Sequence, residues 1–269
     1  MADAHNPYAP PTAPLQEPVD VPDSLRRFIP SGRCVAAGRG AAWLRDAWRL
    51  FWEEPGRWLL TLLCIVALNI IVSLIPFGNL LNSLLWPFVC AGLVTAANRQ
   101  QNTGTFELDS LFAGSRKAAP LLVVAATGLL TVVAVFASFA IVLGGDLAYQ
   151  ILVNPRTPAL QPHAASFLLT ALVAFALVLP ITAAIYLAPP LIMLHDISPG
   201  AAMKMSLIVS IRNILPGIVF GLCVMAFMIV SILPLGLGLL VSIPVLLITN
   251  YTVYRDLFLD TQPTEQTAT

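Results

Sequence analysis

The sequence predicts an all-α integral membrane protein: six transmembrane helices in three hairpins, each hairpin preceded by an amphipathic interfacial helix. Three observations carry that expectation. Hydrophobic residues make up 58% of the chain and charged residues only 10%, against about 25% charged in ordinary soluble domains. Four stretches, 58–98, 118–145, 166–194 and 217–254, contain no Asp, Glu, Lys, Arg or His, and a span needs about 20 apolar residues. The basic residues collect in alternate connecting segments, the distribution that orients membrane helices.

Residues 1–33 begin "MADAHNPYAPPTAPLQEPVD". No basic segment is followed there by an apolar core, so the stretch does not read as a cleavable signal peptide. Its prolines predict a disordered cytoplasmic tail. The transmembrane domain is expected over 34–258. Its first joint, "AAWLRDAWRLFWEEPG", projects Arg45, Asp46, Arg49 and Glu53 to one side of a helix and Leu44, Trp48, Phe51 and Trp52 to the other. Such a helix lies in the interface, with tryptophans at headgroup depth and arginines toward anionic lipid at roughly 1 kcal/mol each. Spans follow at about 58–76 and 79–98, divided by "IPFGN", at 119–144 and 166–194, and at 217–233 and 236–254, divided by "LPLGLG". Residues 259–269 are expected to form a flexible cytoplasmic tail.

Seven arginines from Arg26 to Arg57 precede the first span, Arg99, Arg116 and Lys117 follow the second, Lys204 and Arg212 follow the fourth, and Arg255 follows the sixth. Only Arg156 falls on the opposite side. Both termini are therefore expected in the cytoplasm.

An internal repeat runs along the chain. "SLIPFGNLLNSLLWPFVCAGLVTAANR" and "SILPLGLGLLVSIPVLLITNYTVYR" share a Ser, a Pro-x-Gly turn, a second Pro and a closing Arg. Upstream, "AAWLRDAWRLFWEEPG" matches "AAMKMSLIVSIRNILPG", and a weaker third copy is "TFELDSLFAGSRKAAP". In the third joint Ser198 is placed to cap a helix starting at Pro199. Ser206, Ser210 and Asn213 form a thin polar stripe there, suited to helix packing through hydrogen bonds.

Candidate chemistry is sparse. His195 and Asp196 form the nearest thing to an acid/base pair, but no second carboxylate, thiol or histidine can be placed beside them. His163 lies across the membrane from His195, and His5 lies in the tail, so the three histidines cannot form one metal site and no metal is expected. Cys34, Cys64, Cys90 and Cys223 show no paired spacing. Polar residues within spans include Asn69, Asn82 and Asn250, which serve either helix contact or the lining of a path. Gly217 and Gly221 form a G-x-x-x-G that lets helix backbones approach, whereas Gly38-x-Gly40 and Gly236-x-Gly238 follow no strand and are not nucleotide loops. No catalytic residue and no cofactor is expected.

The landmarks "GRGAAWLRDAWRLFWEEPGRW", "YLAPPLIMLHDISPGAAMKMSLIVSIRNILPG" and "YTVYRDLF" resemble a family of uncharacterised six-span inner-membrane proteins of proteobacteria, over roughly residues 34 to 258. The spacing from Ala188 to Pro216 is more loosely similar to membrane domains beside some bacterial glycerophosphodiester phosphodiesterases. The first resemblance implies a multi-pass protein of the bacterial inner (plasma) membrane and supplies no catalytic residues. The second supplies none either, because the soluble hydrolytic barrel has no counterpart in this chain.

The expected function is that of a non-enzymatic membrane protein that organises the membrane or binds a partner. Its partners would be the lipid bilayer and either a membrane protein or further copies of itself, not nucleic acid. The alternative is a channel or facilitator for a small neutral or amphiphilic solute, with a path lined by Asn69, Asn82 and Asn250. A coupled pump is disfavoured because no ionisable residue lies within the spans.

Overall fold

The computed structural model describes Asp23 and residues 26–153 and 164–263. Most of the Pro-rich tail, the loop carrying Arg156 and His163, and residues 264–269 lie outside these. Helix α1 (Arg39–Glu53) ends where Pro55 has no N–H to offer Phe51, and the Glu54 amide bonds the Phe51 carbonyl instead at 3.3 Å. Pro55 then opens α2 (Pro55–Ser73), at a position where a missing N–H costs nothing. After the turn at Phe77 comes α3 (Gly78–Thr103), which closes on Gly104 in the left-handed region at φ 70°.

The joint expected as a second interfacial helix is a 3-10 helix, Leu108–Lys117. It presses on α3 so closely that a Cβ at Gly92 would stand 2.1 Å from the Leu111 carbonyl oxygen. The chain continues through α4 (Ala118–Val153) and α5 (Ala164–Tyr186). The single span expected over 166–194 is broken at Leu187, and a separate α6 (Ala188–His195) follows. Pro189 and Pro190 cannot donate to the last carbonyls of α5, which severs the helix. Then come α7 (Pro199–Arg212), α8 (Ile214–Ile232) and α9 (Leu239–Phe258).

Among the described residues five segments are long and apolar enough to cross a membrane: Pro55–Ser73, Gly78–Thr103, Leu108–Val142, Phe167–His195 and Ile214–Ile232. The sixth expected span, now α9, is not among them. Thirteen of its residues are buried among α1, α2, α3 and α8, including Ser242, Thr249, Asn250 and Thr252. A helix screened from lipid by its neighbours tolerates polar side chains that an outer helix does not.

The chain ends also depart from the expectation of two tails. Strand β1 (Arg26–Phe28) pairs antiparallel with β2 (Leu259–Pro263), so residues 26–33 and 259–263 are structured. Arg33 donates its amide to the Leu257 carbonyl at 2.8 Å and its guanidinium to the Leu259 carbonyl at 3.2 Å.

The first joint does not lie free at the surface. Gly40 and Trp43 of α1 meet Pro216 and Phe220 of α8, and Trp48 meets Phe227, so the two helices run side by side. Trp43, Ala47, Leu50 and Phe51 are buried, while Trp48 and Trp52 share the exposed face with Arg45 and Arg49. The separation of tryptophans from arginines read from the projection is thus replaced by one mixed face. Ser198 sits at the start of α7 with extended backbone but makes no side-chain cap bond.

The aromatic core, which includes Trp43, Trp58, Tyr251, Tyr254 and Phe258, gathers at the end of the molecule where the charged joints meet. The opposite end is thin. Phe77 and Leu235, at its turns, are 82% and 98% exposed. Lipid is as apolar as these side chains, so no solvent force drives them inward.

Candidate functional site

The break between α5 and α6 organises the most informative polar contacts. In an unbroken helix the Leu187 amide would bond the Ala183 carbonyl. Here Ser206, fully buried on α7, inserts its hydroxyl: Oγ accepts from the Leu187 amide at 3.1 Å and donates to the Ala183 carbonyl. Pro190 leaves the Tyr186 carbonyl without its helical donor, and Asn250 Nδ2 of α9 supplies one at 2.6 Å. Two expected polar residues therefore stitch one broken helix to two neighbours. In hydrocarbon each freed backbone group would otherwise cost several kcal/mol.

Asn213 makes a comparable joint between α7 and α8. Its Oδ1 accepts from the Val35 amide at 2.9 Å, and Nδ2 donates to the Arg33 carbonyl at 2.8 Å and to the Val209 carbonyl at 2.9 Å. The segment before α1 is thereby clipped across the base of the molecule. Ser210, the third member of the stripe, is half-buried and uses its carbonyl to accept the Asn213 amide at 3.2 Å. Asn69 donates to the Ile65 carbonyl of its own helix at 2.9 Å. Asn82 is half-buried on α3 and, like Asn69, stands apart from the contacts made by Asn250.

His195 and Asp196 are adjacent in sequence but engage different partners. The His195 ring stacks on Phe28 with centroids 3.7 Å apart and shares a hydrogen bond with the Tyr254 hydroxyl. Asp196 turns outward to pair with Lys117, whose ammonium also caps α6 through the Ile192 carbonyl at 2.8 Å. Nearby, Trp43 Nε1 and Arg39 Nε converge on Asp256 Oδ2 at 2.7 and 2.9 Å. The Asp256 hydrogen bond raises the Arg39 pKa above its ordinary value against the opposing effect of burial. Tyr251 donates to Asp23, which also pairs with Arg26 at 3.0 Å.

Sequence reasoning missed Gln100. It is buried, accepts from Trp58 Nε1 at 2.8 Å and donates to the Leu50 carbonyl at 2.7 Å, joining α1, α2 and α3. It stands just beyond an apolar run and beside charged Arg99, and no local spacing links it to residues fifty positions earlier. Gly217 and Gly221 are open, with no atom within 4 Å of an added Cβ. The close helix approach instead occurs at Gly40, where a Cβ would meet the Pro216 carbonyl oxygen at 2.2 Å. Among the described residues no group of three His, Cys, Asp or Glu could hold a metal ion.

A cleft of about 660 Å³ lies between α3, α4, α5 and α9. Its walls are apolar side chains such as Trp86, Val132, Phe136 and Ile185, and no ionisable Asp, Glu, Lys, Arg or His lines it. Of the six candidate residues only Asn250 lines this space. Helices α3 and α9 pack directly on one another, with Ala91, Val94 and Ile248 buried.

A relative from Burkholderia thailandensis, named "Probable inner membrane protein", is 31% identical over 198 residues, covering 70% of this chain and 73% of the relative. The chain belongs to that protein's family. With its five apolar helices it is an integral inner-membrane protein in contact with lipid. No family model matches the chain. No solved structure matches it. The looser likeness to membrane domains of glycerophosphodiester phosphodiesterases finds no support in these comparisons.

Proposed function

We propose that this inner-membrane protein is a non-enzymatic, six-span membrane organiser or partner-binding component, with α9 as its central sixth span and both termini in the cytoplasm. One observation carries the reading: the buried polar side chains at the helix break and at the α7–α8 joint are spent on holding separate segments together. Ser206, Asn213 and Asn250 each bridge separate segments. The His195 ring is occupied by Tyr254 and Phe28, which speaks against an acid/base role. The exposed Arg45, Trp48, Arg49 and Trp52 face of α1 supplies a surface for anionic headgroups or a partner.

Cross-linking in native membranes, followed by purification in mild detergent, tests this. Reproducible recovery of a partner protein, a homo-oligomer or bound anionic lipid is expected, reduced by Arg45→Glu with Arg49→Glu. Recovery of the chain alone, unchanged by that double substitution, would contradict the proposal. The 660 Å³ cleft favours a second reading, a facilitator for a neutral or amphiphilic solute. That reading predicts reaction of water-soluble thiol reagents with Thr182→Cys and Asn250→Cys, whereas protection of both would exclude an aqueous path.

A further inference from the structure

The cleft has a polar end and an apolar length. Ser83, Thr131 and Thr182 all line it, yet each hydroxyl donates to a carbonyl of its own helix, at 2.7, 2.8 and 2.8 Å. Tyr186 and Asn250 remain. Tyr186 is 36% exposed, although it stands where α5 breaks and where core residues begin. Its hydroxyl lies beside Thr249 and Asn250. Asn250 is only 8% exposed, and its amide orientation is fixed because Nδ2 must face the Tyr186 carbonyl. The other amide atom, Oδ1, is buried without a hydrogen-bond partner. A buried acceptor left unpaired is costly, so it marks a place where a donor is missing.

The dimensions fit one hydrocarbon chain. Along α4 the lining runs from Val124 to Phe136, twelve residue steps or about 18 Å. Half the hydrocarbon core of a bilayer is about 15 Å. The polar end lies one helical turn before Tyr254, whose hydroxyl already belongs to the charged base of the molecule. A headgroup there would sit just inside the polar layer while its chain followed α4 toward the thin end. The absence of any Asp, Glu, Lys, Arg or His in the lining selects a neutral head, since a buried charge would have no counter-ion.

We propose that the cleft between α3, α4, α5 and α9 binds a neutral single-chain lipid amphiphile, its hydroxyl or amide head donating at Tyr186 and Asn250 and its chain lying along α4. The assignment rests on the six-span reading above, because the cleft must open onto hydrocarbon.

The test uses the full chain in vesicles with a long-chain alcohol carrying a diazirine beside its hydroxyl, and an isomer with the diazirine at the chain end. The first probe is expected to label 182–190 and 246–250, the second 132–136 and 178. Excess unlabelled monoacylglycerol should suppress both. Val132→Trp fills the cleft at a side chain already 41% exposed and should cut this labelling at least about tenfold. Tyr186→Phe should weaken it about two- to tenfold, the worth of one hydrogen bond. Both variants should leave labelling of Leu222 and Met225, on the outer face of α8, unchanged. Labelling that spreads evenly over cleft and α8, that Val132→Trp does not alter, or that an anionic single-chain lipid suppresses equally well would overturn the site. Labelling of neither region would instead remove the lipid-embedded reading beneath it.

Discussion

Ser206 holds two backbone groups that an intact helix would have paired with each other, and its hydroxyl satisfies both. Ser206→Val puts a methyl where the hydroxyl bridged them. The expected loss is about 1–3 kcal/mol, read as a lower midpoint of thermal unfolding in detergent. An unchanged midpoint would show that Leu187 and Ala183 find each other unaided. Asn213→Leu leaves the Val35 amide and the Arg33 carbonyl without their side-chain partners. Limited proteolysis should then cut residues 29–37 faster, with α7 and α8 still protected; equal cutting rates would count against the clip. The polar stripe of Ser206 and Asn213 was legible from helical spacing, because three polar residues on one side of an apolar helix need partners. Its partners were not legible. Ala183, Leu187, Arg33 and Val35 contribute backbone atoms, and backbone atoms leave no mark in composition.

At the scale of elements, the decisive contact is the one between α1 and α8. A side chain at Gly40 would collide with the Pro216 carbonyl and the Phe220 amide, both backbone groups that cannot step aside. Gly40→Leu should therefore push α1 off its seat and weaken the Trp43 and Arg39 contacts to Asp256, costing about 1–3 kcal/mol as overpacking does. Gly217→Leu and Gly221→Leu, which enter open space, should change the unfolding midpoint by no more than a typical surface substitution, about 0.5 kcal/mol. Equal effects from all three would contradict this assignment of the close approach. The G-x-x-x-G pattern pointed to the wrong glycines because it reports only that a helix face is small, not that another helix is there. The double proline at Pro189 and Pro190 removes two backbone donors, which is enough to bend a helix. That it severs the helix depends on Ser206 and Asn250 being present to receive the freed groups, which the local sequence does not state.

At the scale of the whole molecule, the core sits at one end and lipid-facing apolar surface at the other. That asymmetry follows from two solvents. Water at the charged end drives aromatic burial and rewards pairs such as Arg39 with Asp256, whereas hydrocarbon asks only that backbone groups be satisfied. The apolar runs were legible because a bilayer imposes length and composition directly on sequence. The central position of α9 was not, since its Ser242, Thr249 and Asn250 lower its apolarity for reasons that lie in its neighbours. The cleft was invisible for the same reason, being a space between helices far apart in the chain. The central claim is that the greasy segments cross the bilayer in pairs and leave the joint before each pair on the cytoplasmic face. Its most direct measurement is labelling by a membrane-impermeant maleimide in intact cells, with Cys34, Cys64, Cys90 and Cys223 replaced by serine and single cysteines introduced as Phe77→Cys, Leu235→Cys, Thr103→Cys and Lys204→Cys. The account predicts that the first two react in intact cells and the last two only after permeabilisation; reaction of Lys204→Cys from outside, or of Phe77→Cys and Lys204→Cys from the same side, would contradict it.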